Sequence, residues 1–330
     1  GVEFSYFKPA GDNTADRVAM IEKAVDEGYN VIVMPGYAFG GAIVEAAPEF
    51  PDVKFIALDV AKGDLLEAGV AKAGESYDYN PDNWDLEKYV DMSNVYCAIY
   101  QEELCGYMAG YAAVKLGYKS LGFLGGMAVP AVIRYGYGFV QGVDAAAADL
   151  GLSDVTVKYV YGGQFFGDAD ITAVMDTWYA GGTEVVFACG GGIYTSAVDA
   201  AKKANGKVIG VDVDQNYIGV NGVADGSFAY NPFITSAMKG LTEAVNTALS
   251  DIEAGDWSDI AASNGNFGLE DGDYIGLPTD ADSWNFETFT VEEYEELKKK
   301  IASGEIVVDN SSDDATKPTV SEFTNVTYIQ

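Results

Sequence analysis

The feature that most constrains this chain is the alternation of short apolar runs with segments of helical periodicity. Val31–Met34 and Lys54–Asp59 are typical of buried strands, and Thr14–Glu27 carries apolar residues at helical spacing. Such alternation predicts parallel sheets with helices on both faces. The chain has 330 residues, more than one compact domain usually reaches, so we expect two α/β lobes.

The same pattern predicts individual elements along the chain. The expected strands cover residues 3–7, 31–34, 54–59, 95–99, 120–124, 156–161, 185–189, 208–211 and 274–277, with a late strand at 326–329. The expected helices cover residues 14–27, 38–47, 102–116, 132–150, 168–179, 194–204, 235–254 and 291–302. The acidic, aromatic segment Ala61–Met92 interrupts the alternation, and we interpret it as a long surface excursion, either a decorated loop or a functional lid.

Composition excludes several classes of function. The net charge of −32 opposes binding to nucleic acid or to anionic lipid, because both need a basic surface. Without histidine, neither Ser-His-Asp nor Cys-His catalysis is available, and no pair of carboxylates stands out, so we expect no enzyme. The only arginines are Arg17 and Arg134. Since bidentate capture of phosphate or carboxylate normally uses arginine, we expect a neutral ligand.

Glycine-rich turns follow three of the predicted strands. They are Pro35-Gly36-Tyr37, Gly125-Gly126-Met127 and Gly190-Gly191-Gly192. In open α/β sheets, ligands bind at the carboxyl ends of the strands, where glycine lets the backbone approach closely. The three turns therefore favour a ligand cleft. Gly136-Tyr137-Gly138 has the wrong spacing for a dinucleotide fingerprint and lies in a predicted helix.

Two further residues are candidates for ligand contacts. Asp212 ends a predicted strand, and its carboxylate can accept hydrogen bonds from vicinal hydroxyls such as those of a ribose; the alternative is a helix cap or turn. The run from Asp212 to Gln215 begins like a calcium loop but lacks the glycine and glutamate that such a loop needs later. Phe165 lies with Phe166 in a glycine-flanked loop, where one ring can stack on a flat ligand or simply pack the loop.

Several longer motifs resemble a known family. Gly122–Pro130 and Arg134–Phe139 with Gly142 resemble the central signature of the basic membrane protein family, and Ile209–Gln215 and Phe187–Gly191 resemble two further signatures. Members of that family are substrate-binding lipoproteins of ABC transporters, with a purine nucleoside receptor branch. The resemblance covers residue 1 to about residue 306.

The resemblance implies a type I periplasmic-binding-protein fold, in which two Rossmann-like lobes joined by a three-stranded hinge enclose the ligand. We expect one lobe to hold residues 1–117 and 232–265, and the other residues 118–231 and 266–330. By the resemblance, Phe165 would stack on the purine, and Asp212 would hold the ribose hydroxyls with Lys239 beside it. The residues that would line the base pocket are Met127, Gly191 and Gly192, and the first-lobe contacts would be Tyr37 and Asp59.

The family also implies permease subunits as partners, no cofactor, no metal and an extracytoplasmic location. Its members are anchored to the cell membrane through a lipid on an N-terminal cysteine, which this sequence does not contain. The alternatives for the ligand are a flavin-like molecule or a sugar on the same fold. A regulator's ligand-sensing domain is a further alternative, although no basic helix-turn-helix segment is present.

Overall fold

The computed structural model describes residues 2–329, and the chain divides into two compact units. The first unit holds the residues up to Tyr100 together with Leu241–Phe267. The second unit holds Gln101–Gly240 and the residues from Gly268 onward. The chain therefore passes between the units after Tyr100, after Gly240 and after Phe267.

The strands and helices are numbered in chain order. The strands are β1 Val31–Pro35, β2 Lys54–Leu58, β3 Val95–Tyr100, β4 Ser120–Gly125, β5 Val155–Tyr161, β6 Val185–Cys189, β7 Lys207–Asp212, β8 Phe233–Lys239, β9 Ser263–Phe267, β10 Ile275–Gly276 and β11 Thr324–Tyr328. The α-helices are α1 Thr14–Asp26, α2 Gly40–Ala46, α3 Lys62–Lys72, α4 Leu86–Tyr89, α5 Glu102–Lys115, α6 Pro130–Leu150, α7 Ala169–Ala180, α8 Tyr194–Ala204, α9 Asn216–Ala224, α10 Leu241–Ala254, α11 Trp257–Ile260 and α12 Val291–Ala302. Short 3-10 helices span Tyr37–Phe39 and Pro81–Asn83.

The first unit is built on a parallel four-stranded sheet with the order β1-β2-β3-β9. Helix α3 packs into its core, with Leu65, Leu66 and Val70 fully buried. The interpretation of residues 61–92 as a surface excursion is therefore wrong for its first third, and Val90 and Met92 at its end are also buried in this core. Apolar residues at helical spacing from Leu65 to Val70 were the signal for this helix, and the acidic composition of the whole segment obscured it.

The second unit contains a seven-stranded sheet with the order β10-β8-β7-β6-β4-β5-β11. All neighbours in this sheet are parallel except β10, which runs antiparallel to β8. The predicted late strand at 326–329 is present as β11, which pairs with β5.

Helices α5 and α6 pack against each other through glycines. A Cβ at Gly106 would lie 2.1 Å from the Tyr135 carbonyl oxygen, and one at Gly138 would lie 1.9 Å from the Glu103 carbonyl oxygen. Because any side chain there would clash with the facing backbone, these glycines permit the close helix contact. The contact holds α5 in the second unit, so the chain leaves the first unit after Tyr100 and not near residue 117.

Two other predicted elements differ from the structure. Residues 3–7 form no strand, and Phe4 and Tyr6 are exposed, because they pair with no strand of the first unit's sheet. The single helix expected over residues 235–254 is wrong. Strand β8 runs to Lys239 and pairs with β7, and α10 begins only after Gly240. This strand places residues 233–239 in the second unit, so the expected boundary near residue 232 falls at Gly240.

Candidate ligand site

The strongest candidate site lies on the second unit, at the carboxyl edge of its sheet. Strands β8, β7, β6, β4 and β5 are parallel neighbours, so the residues that end or follow them meet along one edge. This edge carries six of the residues predicted as ligand contacts. They are Lys239, Asp212, Gly191, Gly192, Met127 and Phe165.

Two glycine turns hold the Phe165 ring. A Cβ at Gly126 would lie 2.4 Å from this ring, and one at Gly190, where φ is +137°, would lie 2.8 Å from it. The backbone closes the same arrangement, because the Gly126 N–H donates to the Cys189 carbonyl at 2.8 Å and the Gly192 N–H donates to the Phe165 carbonyl at 2.7 Å. Only residues without a side chain permit this approach, so the glycines fix where the half-buried ring lies.

Asp212 and Lys239 form an ion pair at the ends of two paired strands. Lys239 Nζ lies 3.1 Å from Asp212 Oδ1; the lysine side chain is 4% exposed and the aspartate side chain 32% exposed. Lys239 Nζ also lies 5.6 Å from the centre of the Tyr135 ring. A buried ammonium needs a counter-charge, which Asp212 supplies. Because Asp212 is only partly covered, its carboxylate can still accept hydrogen bonds from a ligand.

Asp212 ends β7 in an uncommon backbone conformation. Its φ is +69°, in the left-handed region that aspartate tolerates better than most residues. The following acidic residue has a different role, since Asp214 accepts from Ser283 Oγ and, at 3.0 Å, from the Asn216 N–H. Gln215 ties the loop to the sheet through bonds with Val211 and Ser236. The two aspartates of the run that begins like a calcium loop therefore have separate roles. Asp212 forms an ion pair, and Asp214 accepts a hydrogen bond at the start of α9.

The two remaining predicted residues, Tyr37 and Asp59, belong to the first unit. Tyr37 follows β1 and Asp59 follows β2, with a φ of +62° at Asp59. The Asp59 N–H donates to the Ala98 carbonyl at 2.8 Å. Burial raises the pKa of Tyr37, and the nearby carboxylates of Asp12 and Asp64 raise it further. Both residues thus lie at the carboxyl edge of their own sheet, and their role in binding stays a prediction.

A buried charge cluster in the second unit was missed by the sequence reasoning. Arg134 Nε contacts Glu102 Oε2 at 2.7 Å and lies 4.0 Å from Glu103 Oε2. The two glutamate side chains are 1% and 6% exposed. Burial raises the pKa of Glu103 to about 7, with a smaller opposing effect from Arg134. The available signal was an arginine inside an apolar helix of a chain that has only two arginines.

No helix within residues 2–329 has the length and apolar character that spanning a bilayer requires.

Comparisons with known proteins agree on one family. The sequence model of the family Bmp, described as "ABC transporter substrate-binding protein PnrA-like", matches residues 2–312. The chain is 27% identical over 261 residues to the ABC transporter nucleoside-binding protein BmpA of Lactococcus lactis, covering 76% of this chain and 63% of that protein. It therefore spans less than two thirds of that relative. Basic membrane protein B of Borreliella burgdorferi is 24% identical over 88% of this chain and 72% of its own length.

Solved structures show the same fold. A solute-binding protein of an ABC transporter system from Aeropyrum pernix superposes with a TM-score of 0.66 at 21% identity, covering 92% of this chain and 84% of that one. A second, from Conexibacter woesei, gives a TM-score of 0.63 at 19% identity, covering 91% and 85%. The predicted type I periplasmic-binding-protein architecture is confirmed.

Proposed function

We propose that this chain, which belongs to the family of PnrA-like ABC transporter substrate-binding proteins, captures a purine nucleoside outside the cytoplasm and delivers it to a membrane permease. Proteins of this family bind solutes for transport and in general catalyse no reaction. Beyond the family assignment, we propose that the solute is a purine nucleoside, that this chain catalyses no reaction and that a lipid anchors it at the membrane.

One observation carries the choice of ligand. The partly open carboxylate of Asp212 and the half-buried ring of Phe165 lie along one sheet edge. Two strands, β6 and β4, lie between β7 and β5 in the sheet, and the glycine turn of residues 190–192 follows β6. A carboxylate can accept two hydrogen bonds from vicinal hydroxyls, and an aromatic ring stacks on a flat heterocycle. A nucleoside combines both features in one molecule.

The arginines support a neutral ligand. Arg17 pairs with Asp12 in the first unit, and Arg134 pairs with Glu102 in the second. Both guanidinium groups in the described chain are thus engaged in ion pairs. The cation at the proposed site, Lys239, is neutralised by Asp212. A phosphate would therefore meet a carboxylate without an arginine to offset the repulsion.

The name of the relative from Lactococcus lactis, a nucleoside-binding protein, supports the same ligand class. Under the proposal, Met127, Gly191 and Gly192 line the base pocket beside Phe165. Tyr37 and Asp59 are proposed as contacts from the first unit.

Isothermal titration calorimetry of the purified chain tests the ligand directly. We expect adenosine, guanosine or inosine to bind, and the corresponding 5′-monophosphate to bind at least roughly tenfold more weakly because of the repulsion described above. Before titration the protein should be unfolded and refolded, so that ligand carried through purification does not mask binding.

Riboflavin and free ribose serve as the competing ligand classes in the same experiment. Binding of either one without any nucleoside binding would replace the nucleoside with that solute on the same fold. Equal affinity for a nucleoside and its monophosphate would contradict the argument for a neutral ligand.

A further inference from the structure

Helix α9 of the second unit exposes an apolar face. Tyr217, Val220 and Val223 are 57%, 50% and 44% exposed, and Val213, just before the helix, is 44% exposed. These four residues are called the α9 surface below. Single exposed apolar side chains are normal on soluble proteins, whereas a group of neighbouring ones marks an interaction site.

The inner face of α9 explains why these side chains stay outside. A Cβ at Gly219 would lie 1.7 Å from Asn231 Oδ1, and one at Gly222 would lie 2.4 Å from the Phe228 ring. The helix is therefore seated through glycines, and there is no room for larger side chains beneath it. Turning the helix to bury Tyr217 or Val220 would bring a side chain into that contact.

The α9 surface begins at the ligand site. Val213 directly follows Asp212, and the connecting loop is held by the Gln215 N–H donating to Ser236 Oγ at 3.0 Å. The Val211 N–H donates to the Gln215 side chain at 3.1 Å. Tyr217 is close enough to Tyr194 to contribute, after burial, to the raised pKa of that residue. A partner on this surface would thus contact the protein beside the bound solute.

Acidic residues border the surface. Asp214 and Asp225 lie at the two ends of α9, and the Asn216 side chain donates to the backbone carbonyl of Asp282 at 3.0 Å. A second copy of this chain placed symmetrically here would bring acidic border against acidic border. An anionic membrane would be repelled by the same border and by the net charge of −32.

We propose that the α9 surface docks the permease of the transporter, through an apolar patch on the permease that is bordered by lysine or arginine. The inference rests on the proposed function, because it takes the permease as the partner. Apolar contact at the centre and opposite charges at the border match the anatomy of specific interfaces.

Val220→Glu tests the surface, because it places a carboxylate at the centre of the apolar face. Val307→Glu is the matched control, since Val307 is 83% exposed elsewhere in the second unit. In proteoliposomes with the permease and ATPase subunits, we expect Val220→Glu to lower adenosine uptake at least tenfold. Adenosine affinity by calorimetry should stay within twofold of wild type for both variants. Uptake with Val307→Glu should stay within twofold of wild type.

A photo-crosslinking amino acid at position 223 or position 307 provides a readout that does not depend on the solute. Position 223, and not position 307, should form a crosslink to an epitope-tagged permease subunit. If wild-type protein binds no nucleoside but this crosslink forms, the proposed solute is wrong and the docking surface stands.

Other results would overturn the proposal. Normal uptake by Val220→Glu, or equal loss of uptake in both variants, contradicts a docking role for this surface. A wild-type dimer that Val220→Glu converts to monomer in sedimentation would assign the surface to self-association. Binding of wild type, but not of Val220→Glu, to phosphatidylglycerol vesicles would assign it to the membrane.

Discussion

The two charge clusters of the second unit differ in how they meet solvent. At the sheet edge, Asp212 is 32% exposed and pairs with a buried lysine, so one acid balances one base. Between α5 and α6, Glu102 and Glu103 are almost fully buried and share Arg134, so two acids face one base. Within residues 2–329, Glu102 Oε1 and Glu103 Oε2 have no hydrogen-bond partner.

This difference separates a binding group from a structural one. An ion pair whose acid is partly open can accept hydrogen bonds from a ligand without losing its partner. A sealed cluster cannot reach a ligand, and its excess acid makes the folded state sensitive to protonation. We therefore expect changes in the sealed cluster to act on stability, and changes at the sheet edge to act on binding. The following predictions test that separation.

The largest effect should come from Arg134→Met. It leaves two buried carboxylates without their cation, and breaking a buried ion pair in this way costs about 3–5 kcal/mol. Urea denaturation at pH 7 measures this loss of unfolding free energy. The loss should shrink at pH 5, where the Glu103 carboxyl group, whose pKa burial raises to about 7, holds a proton. A loss below about 1 kcal/mol at pH 7 would mean that the cluster is solvated in solution.

Glu103→Gln should change how stability depends on pH. The pKa of Glu103 is about 7 in the folded protein, above the ordinary value of 4.5. Between these values the folded state holds the proton and the unfolded state has lost it, so this group's contribution to stability falls as pH rises from about 4.5 to about 7. The fall amounts to roughly 3 kcal/mol.

The measurement for Glu103 is the unfolding free energy of wild type and variant at pH 5 and at pH 7.5. The wild type should lose more stability over this range than Glu103→Gln does. Substitution of the exposed Glu243 by Gln serves as the control and should follow the wild type. Parallel pH profiles for wild type and Glu103→Gln would show that this carboxyl group titrates normally.

Asp212→Ala should weaken nucleoside binding by about 1.5–3 kcal/mol, or roughly 10- to 150-fold, because it removes a charged acceptor. The matched control is Asp214→Ala, since that carboxylate caps the start of α9 and bonds Ser283. Calorimetry should show a loss for the first variant only, and 2′,3′-dideoxynucleosides should be affected much less than ribonucleosides. If Asp212→Ala binds the nucleoside with an affinity within twofold of wild type, the proposed ligand is wrong and another solute takes its place.

Phe165→Ala should cost about 1–3 kcal/mol of binding free energy through the loss of one stacking face. Unlike the Asp212 variant, it should weaken ribonucleosides and dideoxynucleosides alike, because stacking involves the base. Phe166→Ala is the matched control, as this ring is 61% exposed and adjacent in sequence. If the Phe166 variant loses affinity and the Phe165 variant does not, the ring that stacks on the base is Phe166 and not Phe165.

The smallest effect should come from Arg17→Met. The Arg17 side chain is 12% exposed, but its partner Asp12 is 92% exposed, and an ion pair with a solvated acid contributes about 1 kcal/mol or less. Urea denaturation of this variant beside Arg134→Met compares the only two arginines of the chain. A loss as large as that of Arg134→Met would show that the exposure of the acidic partner does not separate the two pairs.

Most of the fold and part of the site could be predicted from sequence because they depend on local patterns. Alternating strand and helix patterns predicted parallel sheets, and parallel sheets predicted ligand residues at their carboxyl ends, where Asp212 and Phe165 lie. The failures have local reasons too. Strand β8 was assigned to a helix because its small and apolar residues merge with those of α10, and only Gly240 separates the two elements.

The sequence by itself determined the α/β class, the family signatures and the acidic surface, since these depend on residue types and short spacings. Tertiary structure alone decided which distant residues meet. Glu102 contacts Arg134 because glycines bring α5 and α6 into backbone contact, and Lys239 reaches Asp212 because β8 pairs with β7. Neither contact follows from local periodicity, because strand order and helix packing arise from the energy of the whole core.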